Sequence, residues 1–164
     1  MTKFQELAEA YARASQRGTQ YRQEIINLAT AIGRGFETYL SCPSGTVGYY
    51  PVVGKTVQEV ESDRLYSILQ ALEIDEGDSY WHFGLKIKLN PLTWYGLHFA
   101  FFIRPPEYLI RLMPDAAEVT VNAPLQNDSL LPLFDAVHKQ ITDYFDTGLS
   151  RFLERGGQPR KIGF

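Results

Sequence analysis

Three histidines, His82, His98 and His138, and the cations close to the first two are the side chains best suited to chemistry in this chain. The stretch "YWHFGLKIKL" (80–89) alternates strictly. Trp81, Phe83, Leu85, Ile87 and Leu89 fall on one side, and Tyr80, His82, Gly84, Lys86 and Lys88 on the other. Successive strand side chains point to opposite faces, so the first set must meet a core. In the next strand the apolar alternate set is Tyr95, Leu97, Phe99, Phe101 and Ile103. Register follows from putting both apolar sets on one face. A tight Pro91-Leu92-Thr93 loop then predicts Asn90 opposite Trp94, Lys86 opposite His98, Gly84 opposite Ala100 and His82 opposite Phe102. The second face becomes a trough with small residues (Gly84, Gly96, Ala100) in its middle and a basic, aromatic rim.

The candidate ligand-binding set on that rim is Tyr80, His82, Lys86, Trp94, His98, Phe102 and Arg104. Such a face could stack bases or hold an anionic or aromatic small molecule. Alternatively a helix of the same chain packs on the small residues and the lysines reach round it to water. Two histidines on adjacent strands would need a carboxylate or a third imidazole to hold a metal, and the spacing supplies neither. His138 and Asp135 form a pair three residues apart on a helix, which is usually a solvated arrangement. No nucleophile elbow or Cys-His set occurs, so no catalytic residues, cofactor or metal are assigned. The acidic turn "IDEGDS" (74–79) lacks the ligand spacing of a calcium loop and reads as a hairpin turn.

"GYYPVVGKT" (48–56) resembles a phosphate loop only superficially. Five residues separate its glycines where that geometry requires four, and they are strand formers. Cys42 has no neighbouring cation or base to stabilise a thiolate and reads as a structural thiol. Sixteen basic residues against 19 acidic give a net charge of −3, which argues against nucleic acid as the main partner.

These residues must be positioned by a single domain, since 164 residues divide at no linker or repeat. From about Thr2 to Leu40, residues Phe4, Leu7, Tyr11, Ala14, Gly18, Tyr21, Ile25, Leu28, Ile32, Gly35 and Tyr39 recur at alternating spacings of three and four. That predicts a helical segment over 1–40 with one apolar seam, kinked or divided near Gly18. The seam either packs on the domain's own sheet or pairs with a second copy, and Ala14, Gly18 and Gly35 are poor knobs for pairing. Residues 46–122 read mainly as antiparallel strands. Within them 56–62 is expected to make a short helical turn, with 65–75 open between strand and helix. A helix over 129–156 carries Phe134, Val137, Ile141, Phe145, Leu149 and Phe152 on one stripe, and 157–164 is a tail. The expected fold is α+β: an antiparallel meander of four to five strands with the long N-terminal helical segment and the C-terminal helix packed on it.

With 45% apolar residues but no assembled catalytic set, the chain reads as a non-enzymatic binding or adaptor module. Its partner would be another protein or a second copy in a homodimer. A small-ligand binder or enzyme using the trough is the alternative, and single-stranded nucleic acid binding a weaker one. The longest apolar run, "WYGLHFAFFI", is about half the ~20 residues that span a bilayer. With no secretion signal read at its start, the chain is expected in the cytoplasm.

Overall fold

The computed structural model describes residues 1–52, 60, 62–113, 117–126 and 128–154. The expected turn at 56–62 and the tail fall largely or wholly outside the described residues. Helix α1 (Lys3–Leu40) is continuous through Gly18 and runs for 38 residues, about 57 Å. A capping box starts it: the Thr2 hydroxyl accepts from the Gln5 N–H and the Gln5 side chain accepts from the Thr2 N–H. Strand β1 (Val47–Tyr50) follows, then a one-turn helix α2 (Ile68–Ala71), a two-residue strand β2 (Glu73–Ile74), and β3 (Trp81–Asn90). Strands β4 (Thr93–Arg104), β5 (Glu107–Met113) and β6 (Ala117–Asn122) complete the meander before helix α3 (Leu131–Glu154). The fold is α+β, an open antiparallel sheet in the order β1-β3-β4-β5-β6, with β2 also paired to β3.

The open question over 65–75 resolves as both elements in miniature. Ser67 and Gln70 make a second capping box that begins α2, and Glu73–Ile74 then pairs with Trp81 and His82. Pro51 ends β1, which lies at the sheet edge, where a residue without an N–H costs no ladder bond.

Face assignments in β3 and β4 follow the alternation, but their register differs from the expected one by two residues. Lys88 lies opposite Trp94, Lys86 opposite Gly96, Gly84 opposite His98 and His82 opposite Ala100. The turn is tighter than expected, with Asn90 opposite Thr93 and an irregularity between Lys88 and Asn90. A two-residue shift keeps every side chain on its face, so hydrophobic pattern alone could not choose between these registers.

The core lies between one sheet face and the helices. Phe83, Leu85, Phe99, Phe101 and Ile110 from the sheet meet Leu28, Ile32 and Phe36 of α1 and Leu133 and Val137 of α3, all essentially closed to solvent. Small residues let the layers approach. A Cβ on Gly33 would fall 2.2 Å from the Tyr49 Oη, which donates to the Ala29 carbonyl, and one on Gly35 would fall 2.8 Å from the Phe134 ring. Phe36 is absent from the strict three-four seam yet fully buried. A straight helix drifts about 20° per heptad, which carries the buried stripe from Leu28 to Ala29 and Phe36. Among the described residues no helix is long and apolar enough to cross a membrane.

Candidate functional site

The sheet's second face separates into clusters. At one end Lys86 is fully buried, and Trp94 is nearly so. The Lys86 Nζ donates to the Ser62 carbonyl and, at 2.8 Å, to the Arg64 carbonyl, and it sits 4.5 Å from the centre of the Trp94 ring. Asp63 accepts from the Trp94 indole N–H at 2.9 Å and from Lys88 at 3.2 Å. The indole N–H first, and then Lys88, hold the Asp63 carboxyl below its ordinary range. An ammonium removed from water must recover its hydration from carbonyls and π faces, and here the Ser62 and Arg64 carbonyls and the Trp94 ring supply them. Lys86, Lys88 and Trp94 therefore fasten this segment onto the sheet.

The small-residue middle is filled as well. The Tyr50 ring lies where a Cβ on Gly84 would stand, 2.4 Å from it, and Tyr50 Oη and Val60 close over Gly96. The Tyr50 hydroxyl donates to the Leu97 carbonyl at 3.3 Å, and burial pushes it up to about 12. Its occupant is thus a tyrosine from the adjacent edge strand. Trp94 and Lys86 accordingly offer no open stacking platform for a nucleic acid base.

Beyond the filled middle runs a hydrogen-bonded chain. His82 Nε2 lies 2.9 Å from Asp78 Oδ2, and its Nδ1 lies 2.7 Å from His98 Nε2. Because a carboxylate only accepts, His82 donates through Nε2, and in its neutral form its Nδ1 then accepts from the His98 Nε2–H. Burial and the neighbouring His82 lower the His98 imidazole to about 4, against a smaller upward pull from Asp78. Burial alone would raise the Asp78 carboxyl, but the Tyr80 N–H, His82 and Arg111 outweigh it and leave it below the ordinary range. The carboxylate that the sequence failed to supply for His82 comes from the turn four residues earlier. Asp75, Asp78 and His82 offer ligand atoms within 4.8 Å of one another, a set that a divalent cation could use. Each is already engaged: Asp75 Oδ1 accepts from the Gly77 N–H, and a cation on His82 would compete with its bond to Asp78.

Tyr80 and Phe102 meet at the far end, their ring centroids 5.8 Å apart, with Arg111 stacked 4.1 Å over the tyrosine. Glu118 ties them together, accepting from Arg111 Nε and the Tyr80 hydroxyl. Arg104 stands apart, paired to Glu107 at the β4–β5 turn. The structure therefore brings Tyr80 to Phe102, His82 to His98 and Lys86 to Trp94, and leaves Arg104 outside. Asp78, Arg111, Glu118, Asp63 and Tyr50 were missed by the sequence reasoning. For Asp78 a signal existed, an acid four residues before a histidine across a turn. The others depend on register or on a loop without periodicity. His138 lies edge-on to Tyr39, whose hydroxyl donates to Asp135 at 2.7 Å, so that pair serves the α1–α3 contact. Cys42 is half-buried, its Sγ 3.6 Å from the Glu37 carbonyl.

A second surface lies on α1. Every residue from Lys3 to Glu24 is exposed, and burial begins at Ile25. Phe4, Leu7 and Tyr11 are 79%, 70% and 76% exposed. Tyr21 marks the departure from the domain, its hydroxyl 3.4 Å from the Trp81 indole nitrogen. Comparison with protein-family models, curated proteins and solved structures finds no match for this chain.

Proposed function

We propose that the chain is a non-enzymatic assembly module, acting by protein–protein contact through the projecting half of α1. One observation carries this reading: a single apolar seam is core from Ile25 onward and wholly exposed before it. Most of a helix's stability in a protein comes from packing its amphipathic face, and the apolar stripe of this projecting half gains nothing from solvent. A second helix laid along the seam would bury both stripes and hold the segment helical. Light scattering on the wild type and on the double variant Leu7→Asp/Tyr11→Asp tests it. The wild type is expected to run above monomer mass and the variant as a folded monomer. Identical masses, together with amide exchange over residues 4–21 as fast as in a frayed peptide, would overturn the reading.

A second reading, a small-ligand or catalytic site on the sheet, is favoured by the Asp78–His82–His98 chain. Neutral His98 there keeps a lone pair on Nδ1 and, through His82, a carboxylate partner. The filling of the trough by Tyr50 weighs against it. A native mass spectrum that shows a retained small molecule, lost in His98→Gln, would promote this reading over the first.

A further inference from the structure

We infer that the helix paired with residues 3–24 of α1 is the same segment of a second copy, running antiparallel with Leu7 packed over Gly18 of its partner. The inference rests on the assembly reading and specifies its geometry. In a two-fold antiparallel pair, each contact occurs twice, and every seam residue meets one fixed position of the other chain. Placing Leu7 on the partner's Gly18 sets Tyr11 on its Ala14 and Phe4 on its Tyr21.

Size supports this register. Gly18 and Ala14 are poor knobs in a seam of identical layers, but opposite a leucine and a tyrosine they become the holes those side chains need. Open space surrounds Gly18, with no atom within 4 Å of a Cβ built there. The same helix uses a seam glycine in this way in its buried half, where Gly35 receives the Phe134 ring. Parallel pairing would instead stack Tyr11 on Tyr11 and Gly18 on Gly18, one layer crowded and the next hollow.

Charge supports it too. Lys3 and Glu24 flank the seam on its same side and face each other across this antiparallel pair, twice per dimer. A parallel pair brings Arg17 of one chain against Arg22 of the other.

Length supplies the third argument. Sliding the partner by one heptad in one direction leaves Gly18 and Tyr21 uncovered. Sliding it in the other direction demands that Phe4 reach the partner's Leu28 and Leu7 its Ile25, which are 1% and 2% exposed within their own domain. The favoured register covers the helix from its cap at Thr2 to the point where burial begins, and stops there.

Cysteine cross-linking in the full chain tests the inference, with Cys42→Ser as background. Leu7→Cys and Gly18→Cys proteins are treated with a short bis-maleimide, each alone and as an equal mixture after subunit exchange. All three substitutions lie outside the sheet-facing core, so the domain stays folded. The expected result is a cross-linked dimer in the mixture, approaching half of the material, and only background in either protein alone. Cross-linking of each protein with itself would show a parallel pair, overturning the register while retaining the assembly reading. A dimer that yields no cross-link, and that persists in Leu7→Asp/Tyr11→Asp, would place the contact elsewhere and overturn both. A protein monomeric at high micromolar concentration would overturn self-pairing, and the exchange measurement above then decides the broader reading separately.

Discussion

The two halves of α1 carry one seam and meet opposite fates. From Ile25 to Ile32 it is buried in the core shared with β3, β4 and α3, and from Phe4 to Tyr21 it faces solvent. Composition hardly distinguishes the halves, since each mixes large apolar residues with glycine. What differs is whether the sheet lies beneath. An amphipathic stripe therefore states that a helix needs a partner without stating whether the partner belongs to the same chain.

The largest expected effect contrasts the halves directly. Phe36→Ala should cost about 3–5 kcal/mol in chemical denaturation, because a fully buried ring leaves a cavity among Tyr39 and Phe134. Leu7→Ala should leave the stability of the isolated monomer within about 0.5 kcal/mol and weaken association instead. If Leu7→Ala destabilises the monomer as much as Phe36→Ala does, the contrast fails. The two glycines sharpen it. Gly33→Ala should destabilise by roughly 1–2 kcal/mol, since the new methyl displaces the Tyr49 hydroxyl from the Ala29 carbonyl. Gly18→Ala meets nothing within its own chain and should raise α1 helicity in the isolated monomer, measured by circular dichroism, with about 1 kcal/mol of helix propensity.

Acidity should separate the domain from its projecting helix. His98 is lowered to about 4 in the folded protein and has an ordinary value of 6.5 when unfolded. Between those values the unfolded chain binds more protons, so folding stability is fully present above pH 6.5 and falls as pH drops toward 4. With screening at a partly exposed ring, the loss should be on the order of 1–2 kcal/mol. His98→Gln should flatten that slope in denaturation curves. Association through the seam contains no histidine and should hold from pH 6.5 to 5. The smallest effect is electrostatic: raising salt well above physiological levels should weaken the dimer by only a few tenths of a kcal/mol, because exposed Lys3–Glu24 pairs contribute little. A large salt dependence measured by sedimentation would point to a charge-driven interface in place of an apolar one.

The face that alternation assigned to chemistry shows the limit of sequence reading from another side. His82, Lys86, Trp94 and His98 were correctly grouped on one face, because period-two alternation and the need to bury Phe83, Leu85 and Phe99 leave no other choice. Their status was not legible. Lys86 is held by the carbonyls of Ser62 and Arg64, in a segment without periodicity, and Tyr50 reaches the trough only because β1 pairs with β3 at Gly84. Neither relation leaves a trace in local spacing.

The amino-acid sequence by itself determined the two long helices, the meander, the faces of its strands and the seam of α1, since these follow from periodicities of 3.6 and 2 within short windows. Only the tertiary structure decided the register of β3 against β4, the closing of the trough, the Asp78–His82–His98 chain and the residue at which α1 leaves its domain. Each of these depends on where a remote segment comes to rest, and that is fixed by the packing of the whole chain.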